Sequence, residues 1–221
     1  MGNYIDDNKE KIQYTSGGTL CQVFGANEGA SCSIALVTMN ANSNGLKHYH
    51  DNITEIYVFN KGEGKIIING NKHMVSNGDC FIIPPKTIHF IEAITQMEFV
   101  CICTPPWTPE HEFVTEDVVD STDIDEYLDY GALQNLSNEN CHDVFRIKSK
   151  NDFVPNYQMK NFTRVYYFIN GTGTIIIDGV EYKINQGDCF LVNESSDEII
   201  NSENEMDFII VCDRLDKNIT N

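Results

Sequence analysis

Residues 57–83 read YVFNKGEGKIIINGNKHMVSNGDCFII, and a closely similar stretch, YYFINGTGTIIIDGVEYKINQGDCFLV, occupies residues 166–192. The two stretches align without a gap at an offset of 109 residues (57 to 166), and this offset gives 18 identities in the 52 positions from 52 to 103. So many identities in an ungapped comparison indicate a tandem duplication of one unit rather than an array of short repeats. The chain is therefore predicted to contain two related domains.

Each copy is rich in short apolar runs that predict β-strands. In the first copy they include SIALVTM, EIYVFN, GKIIING, DCFIIP and MEFVCIC, which favour β-branched and aromatic residues. Gly and Asn separate the runs in KGEG, INGN and SNGD, and residues that tolerate positive φ predict hairpin turns there. Many short strands at regular spacing predict an all-β sandwich or small barrel, with the jelly roll among the known solutions.

The overall composition limits the class of function. The chain has 221 residues and a net charge of −18, so its surface repels nucleic acids and anionic lipids. We therefore expect a small-molecule substrate, and neither nucleic acid nor membrane as a partner. The start, MGNYIDDNKEKIQYT, has neither the basic nor the apolar region of a signal peptide, and no apolar run is long enough to span a bilayer. These features predict a cytoplasmic protein.

The eight cysteines are expected to be free thiols in that compartment. Four of them form two equivalent pairs, because Cys80 aligns with Cys189 and Cys103 with Cys212. Equivalent thiols in both copies favour packing over redox chemistry.

The stretch HYHDNITE, residues 48–55, carries the candidate site. Alternate side chains of a strand share a face, so His48 and His50 point the same way. An antiparallel hairpin through DNIT would return Glu55 beside them, and His89 would complete the set if its strand pairs next to that hairpin. Imidazoles and a carboxylate suit one divalent transition metal, such as Mn, Fe, Zn, Ni, Co or Cu. The alternative is a surface histidine pair on a polar strand.

The same residues resemble a known family motif. HYHDNITEIYVFNKG is similar to the first motif of the cupin superfamily, G-x5-H-x-H-x3,4-E-x6-G. His48, His50, Glu55 and Gly62 occupy motif positions, and Asn42 replaces the leading glycine.

A second stretch, GDCFIIPPKTIHFIEA, resembles the second cupin motif, G-x5-P-x-G-x2-H-x3-N. Gly78, Pro84 and His89 match it, whereas Lys86 replaces the inner glycine and Ala93 the final asparagine. The resemblance covers both copies and implies a bicupin, with two tandem jelly-roll β-barrels related by internal duplication. It implies metal ligation in the first barrel by His48, His50, Glu55 and His89.

The second copy has lost every ligand position. At the offset of 109, the four ligands are replaced by Tyr157, Met159, Arg164 and Glu198. Methionine is a soft ligand and arginine cannot ligate, so we expect no divalent metal there. If Arg164 and Glu198 both point inward, an ion pair avoids the cost of isolated buried charges. The alternative is that Arg164 binds a substrate carboxylate or phosphate.

These observations predict four segments: an N-terminal arm at 1–30, the metal-binding barrel at 31–103, an acidic linker at 104–140 and the second barrel at 141–221.

The resemblance also implies a class of function. The sequence is most similar to small metal-binding cupins grouped with type II mannose-6-phosphate isomerases. This resemblance implies a metal-dependent enzyme that acts on a sugar, sugar phosphate or keto acid. An isomerase or epimerase ranks ahead of an Fe(II)-type dioxygenase, and a non-catalytic small-molecule-binding or structural cupin is the alternative from another class. Tyr57 shares the strand parity of Glu55, so it is a candidate catalytic proton donor or a packing residue. A homodimer is one assembly that the resemblance implies.

Overall fold

The computed structural model describes residues 32–116, 143–150, 152–155 and 159–212 with their side chains. It also describes the backbone of strands at 3–5, 11–14, 18–24 and 136–137, and of strand ends at 142 and 213. The chain divides into two compact units. We call the unit Lys9–Gly131 the first barrel, and the unit made of Met1–Asn8 and Ala132–Asn221 the second barrel.

The described secondary structure is almost wholly β, with two short 3-10 turns at Pro109–His111 and Met159–Asn161. In chain order the strands are β1 (Asn3–Ile5), β2 (Lys11–Tyr14), β3 (Gly18–Phe24), β4 (Ser33–Met39), β5 (His48–His50), β6 (Thr54–Lys61), β7 (Gly64–Ile68), β8 (Asn71–Val75), β9 (Cys80–Ile83), β10 (His89–Ala93), β11 (Met97–Thr104), β12 (Glu112–Val114), β13 (Leu136–Ser137), β14 (His142–Ser149), β15 (Thr163–Asn170), β16 (Gly173–Ile177), β17 (Val180–Ile184), β18 (Cys189–Val192), β19 (Glu198–Ser202) and β20 (Met206–Asp213).

Two antiparallel sheets form the first barrel. Their strand orders are β2-β3-β4-β11-β6-β9 and β12-β5-β10-β7-β8. Alternate residues of each sheet point inward and share one core, with Phe59 and Phe99 from the first sheet and Ile66 and Ile91 from the second. Large apolar residues on both inner faces explain why the two sheets close on each other, as the alternating sequence pattern predicts.

The second barrel repeats this plan. Its sheets have the orders β1-β18-β15-β20-β14-β13 and β17-β16-β19. Phe168 and Phe208 from one sheet pack with Ile175 and Ile200 from the other. The six strands β15 to β20 begin and end 109 residues after β6 to β11. The prediction of two tandem jelly-roll barrels related by internal duplication is confirmed.

One predicted turn in each copy closes a hairpin. Asn69 and Gly70 have φ of 44° and 83° between β7 and β8, and Asp178 and Gly179 have φ of 50° and 82° between β16 and β17. Two residues with positive φ are what a tight two-residue hairpin requires. The predicted hairpins at KGEG and SNGD are wrong, because these turns carry the chain from one sheet to the other.

Two residues that stand where the cupin motifs have glycine adopt a positive φ. Asn42 has φ of 59° and Lys86 has φ of 66°. Asparagine visits this left-handed region more readily than other residues, whereas lysine incurs a steric cost there. Both turns thus use a conformation that glycine adopts without steric cost.

Gly62 allows a close approach that recurs in both copies. A Cβ at Gly62 would lie 2.2 Å from the carbonyl oxygen of Gln96, and a Cβ at Gly171 would lie 2.9 Å from that of Glu205. Each pair is related by the offset of 109, so the close approach is part of the duplicated fold.

The substitution Gly62→Ala is expected to destabilise the first barrel more than Gly78→Ala. Both glycines have positive φ, of 85° and 108°, so alanine adds about 1–2 kcal/mol of backbone strain at either position. A Cβ at Gly78 meets nothing within 4 Å, whereas the clash at Gly62 adds about 1–3 kcal/mol. Urea denaturation followed by the fluorescence of Trp107, the single tryptophan, measures the difference. Equal losses of stability in the two variants would contradict this explanation.

Segments outside the expected barrel boundaries also contribute strands. Within the expected arm at 1–30, β2 and β3 extend a sheet of the first barrel and β1 pairs with β18 in the second. Within the expected linker at 104–140, β12 pairs with β5, and most of the acidic stretch lies outside the described residues. Within the described part of the chain, no helix has the length and hydropathy that a membrane span requires.

Candidate metal centre

The four predicted ligand residues lie in the first barrel, and the ligand atoms of His48, Glu55 and His89 all lie within 4.8 Å of one another, a group that does not include His50. His48 and His50 lie on β5, and His89, on β10, is the direct cross-strand partner of His48. Glu55 lies on β6, which belongs to the opposite sheet. The predicted hairpin through DNIT is therefore wrong, because this turn links the two sheets. Glu55 reaches the histidines across the interior of the barrel.

One carboxylate oxygen is the focus of the cluster. Glu55 Oε2 lies 3.6 Å from His48 Nε2, 3.3 Å from His50 Nε2 and 2.6 Å from His89 Nε2. The His89 side chain is fully buried and that of His50 is 2% exposed, whereas that of His48 is 13% exposed. The cluster is thus closed on most sides and most accessible near His48.

Backbone carbonyls orient all three imidazole rings. His48 Nδ1 lies 2.9 Å from Leu46 O, and His89 Nδ1 lies 2.9 Å from Thr87 O. His50 Nδ1 lies 3.0 Å from His111 O. Because a carbonyl can only accept, each Nδ1 carries the donated proton, so that each ring, when neutral, presents its lone pair at Nε2. In metal sites, a hydrogen bond from the nitrogen that does not bind the metal orients a histidine ligand in this way.

Two polar atoms of the cluster indicate a cation as the missing partner. His50 Nε2 and Glu55 Oε2 are buried, and among the described residues neither makes a hydrogen bond. They lie 3.3 Å apart, and a buried polar atom without a partner is unfavourable in a dry interior. Ligand bonds of about 2.0–2.2 Å to a tetrahedral or octahedral ion would place neighbouring ligand atoms about 2.8–3.6 Å apart. The distances from Glu55 Oε2 to His48 Nε2 and His50 Nε2, 3.6 and 3.3 Å, lie in this range, whereas the 2.6 Å to His89 Nε2 is shorter than a bound cation would leave it.

The pKa values describe the charge of the cluster. Burial favours a protonated Glu55, but the three histidines outweigh burial and hold its pKa well below the ordinary value. Burial also opposes charge on His48, yet the nearby carboxylate of Glu55 raises its pKa to about 8. Burial lowers the pKa of His89, and the attraction of Glu55 does not overcome it. A carboxylate is thus balanced by a proton on His48, which a metal ion would displace.

A segment beyond the motifs supports the centre. The turn Pro109–His111 provides the carbonyl that orients His50, and β12 continues beside β5. Trp107 Nε1 donates to Glu112 Oε2 at 2.7 Å, which ties this segment together. The contact between His111 and His50 was not predictable from the sequence, because the prolines of TPPWTPEHEFV obscure the strand pattern of this segment. The apolar pair in EFV is the one local signal of a strand there.

Tyr57 lies at the edge of the cluster. Its hydroxyl is 3.2 Å from His89 Nε2, and because His89 Nδ1 donates to a carbonyl, Tyr57 is the donor. The equivalent Tyr166 donates to Glu198 Oε1 at 2.8 Å. In both copies the tyrosine hydroxyl therefore contacts the residue at the position of His89, whether that residue is a histidine or a glutamate.

In the second barrel an ion pair occupies the equivalent position. Arg164 is fully buried, and its Nε and Nη2 donate to the two carboxylate oxygens of Glu198 at 2.5 and 2.8 Å. The predicted pair is thus confirmed. The remaining guanidinium donors bind the carbonyl oxygens of Met159, Phe162, Asn193 and Ser196.

With all its donors engaged, Arg164 offers none to a substrate carboxylate or phosphate, so that alternative is wrong. Tyr157, the counterpart of His48, lies outside the described residues.

Comparison with known proteins agrees with this architecture. Residues 35–104 match the family model described as the cupin domain. An uncharacterized protein of Methanocaldococcus jannaschii is 33% identical over 91 residues, which are 40% of this chain and 73% of that protein. Residues 35–104 therefore form a cupin domain.

Solved structures show the same fold over nearly the whole chain. Oxalate decarboxylase from Bacillus subtilis superposes with a TM-score of 0.66 at 13% identity, covering 96% of this chain and 75% of that one. Protein Ylba from E. coli superposes with a TM-score of 0.70 at 13% identity, covering 95% and 88%. At this level of identity the likeness concerns the fold alone.

Proposed function

We propose that this protein is a metal-dependent cupin enzyme that acts on a small polar metabolite. One observation carries the proposal: three histidine Nε2 atoms converge on Glu55 Oε2 while each Nδ1 is held by a backbone carbonyl. The proposed metal ligands are His48, His50, Glu55 and His89. Manganese is the first ion to test, because Mn(II) centres are described for the Bacillus subtilis oxalate decarboxylase.

The reaction that we propose is an isomerisation or epimerisation beside a carbonyl group, as in the type II mannose-6-phosphate isomerase-like group. When bound, the metal supplies a Lewis acid that polarises the carbonyl. The buried carboxylate of Glu55 and the three histidines hold the ion, and the closed surroundings exclude bulk water. The hydroxyl of Tyr57, at the edge of the cluster, is placed to donate a proton to a substrate oxygen.

The charges of the first barrel favour an uncharged sugar or a keto acid over a sugar phosphate. No arginine precedes Arg146 in the sequence. Lys61 and Lys65 pair with Glu98 and Glu92 on the outer surface, at 3.1 and 3.7 Å. A phosphate would therefore meet few cations besides the metal, whereas a keto acid could be held by the metal itself.

Solvent isotope exchange tests this function. The manganese-loaded protein would be incubated in deuterated water with a panel of aldoses, ketoses and 2-keto acids, and exchange at the carbon beside the carbonyl would be followed by NMR. We expect metal-dependent exchange with at least one substrate. Oxygen consumption by the Fe(II)-loaded protein without exchange would favour the dioxygenase and contradict the isomerase.

A non-catalytic binding protein is the second candidate, and the Tyr166 contact favours it. Because Tyr166 makes the same kind of contact in a barrel without the ligand histidines, Tyr57 has a structural counterpart that needs no chemistry. In this candidate the metal anchors a small molecule and the Tyr57 hydroxyl transfers no proton.

The substitution Tyr57→Phe separates the two candidates. If Tyr57 transfers a proton, the variant keeps its metal content while the exchange rate falls about 10²–10⁴-fold. The matched variant Tyr166→Phe removes the same hydroxyl from the second barrel and is expected to leave the exchange rate unchanged. Equal rates in the wild type and Tyr57→Phe would exclude the catalytic role of Tyr57.

A further inference from the structure

Two cysteine thiols lie on the other side of Glu55. Cys101 and Cys103 are alternate residues of β11, so their side chains share the inner face. Cys101 Sγ is 3.3 Å and Cys103 Sγ is 3.7 Å from Glu55 Oε1, and the sulfur atoms are 3.7 Å apart. The histidines approach the other oxygen, Oε2, so the two clusters share a residue but no ligand atom.

These distances match the edges of a tetrahedral thiolate site. With bonds of about 2.3 Å to sulfur and about 2.1 Å to oxygen, zinc places two sulfur ligands about 3.8 Å apart and sulfur and oxygen about 3.6 Å apart. The observed edges of 3.7, 3.3 and 3.7 Å differ from these values by no more than about 0.3 Å. The three side chains could thus take up such an ion with little movement of the strands.

The second barrel provides an internal comparison. Cys103 has a counterpart in Cys212, but the counterpart of Cys101 is Ile210. The second barrel, which has Arg164 in place of Glu55, therefore lacks the thiol pair. Its isoleucine shows that an apolar side chain can fill the position of Cys101. Packing explains a thiol common to both copies, but it does not explain Cys101, which occurs only beside the carboxylate.

We propose that Cys101, Cys103 and Glu55 Oε1 form a second metal site, selective for thiophilic divalent ions such as Zn²⁺ and Cd²⁺, beside the histidine centre. Thiolates select softer metals than imidazole and carboxylate oxygen do. Three protein ligands leave the fourth position of a tetrahedral ion for water or a ligand atom. Glu55 then joins two cation sites, one through each of its oxygens.

Cadmium titration of the full chain tests the second site. Cadmium bound to thiolate produces an ultraviolet sulfur-to-metal charge-transfer band, and X-ray absorption at the cadmium edge counts the sulfur neighbours. We expect one centre per chain with two sulfur neighbours. The substitution Cys101→Ile copies the residue of the second barrel and should abolish the band. It should also weaken cadmium binding by more than about 100-fold, which is more than the loss of a residue that only hydrogen-bonds to a ligand would cause.

Three further variants make the result specific. Cys101→Ser serves if Cys101→Ile does not fold, and circular dichroism checks folding in both. Cys80→Ser, which removes another buried thiol of the first barrel, should keep the band. His89→Ala should also keep it, so failure of the histidine centre would be seen separately. An unchanged band in both Cys101 variants, or no thiolate band in the wild type, would overturn the second site.

Discussion

Replacing Arg164 with methionine is expected to lower the free energy of unfolding of the second barrel by about 3–5 kcal/mol or more. The substitution leaves the carboxylate of Glu198 buried without its partner, in a site where both side chains have 0% exposure. It also removes the donors to four backbone carbonyl oxygens. Each buried acceptor left without a donor adds to the loss.

A matched pair and a double variant test the explanation. Lys160→Met breaks an ion pair of the same barrel, but Asp197 is 83% exposed, so the expected loss is at most about 1 kcal/mol. Arg164→Met combined with Glu198→Leu removes both charges and should recover part of the stability lost in the single variant. Chemical denaturation followed by circular dichroism measures all three, with Trp107 fluorescence reporting on the first barrel. A loss in Arg164→Met no larger than in Lys160→Met would contradict the role of the pair.

Replacing His89 with alanine is expected to weaken Mn²⁺ binding by more than about 100-fold. Losing a residue that binds the metal directly should lower the affinity by more than the roughly 10–100-fold that follows from losing a hydrogen-bond partner of such a residue. His89 is also the histidine nearest to Glu55 Oε2, at 2.6 Å, so its loss opens one side of the centre. Because an ion that binds only the folded state stabilises it, Mn²⁺ should raise the melting temperature of the wild type but not of the variant.

The control for this prediction is His73→Ala. His73 lies on β8 of the same barrel, outside the cluster that surrounds Glu55. Calorimetric titration with Mn²⁺ should give the wild-type affinity for this variant. Loss of binding in His73→Ala equal to that in His89→Ala would show that the effect is not specific to the proposed ligand.

The duplication and the alternating apolar pattern predicted two related all-β domains, and the resemblance to the cupin motifs implied that each is a jelly-roll barrel. Equivalent apolar residues such as Phe59 and Phe168 point inward in the two copies. Each barrel buries them by packing its two sheets face to face. Which sheet each strand joins was not predictable in this way. A turn such as KGEG permits either a hairpin or a crossing between sheets, and the choice depends on long-range packing.

The candidate site was predictable where residue chemistry dominates. The spacing of His48, His50 and Glu55 indicated a common site, and Arg164 and Glu198 were expected to pair because isolated charges are costly to bury. The support from His111 was not predicted, since its contribution is a backbone carbonyl that carries no side-chain signal. The approach of Cys101 to Glu55 depends on the register between β11 and β6, which the sequence does not specify.

The most direct test of the metal centre is a crystal structure of the Mn²⁺-loaded protein with anomalous diffraction data collected on both sides of the manganese edge. We expect one manganese peak in the first barrel, coordinated by Nε2 of His48, His50 and His89 and by Glu55 Oε2. We expect no such peak at Arg164 and Glu198 in the second barrel. A manganese-loaded crystal with no peak among the three histidines, or with the metal held by other residues, would contradict the account.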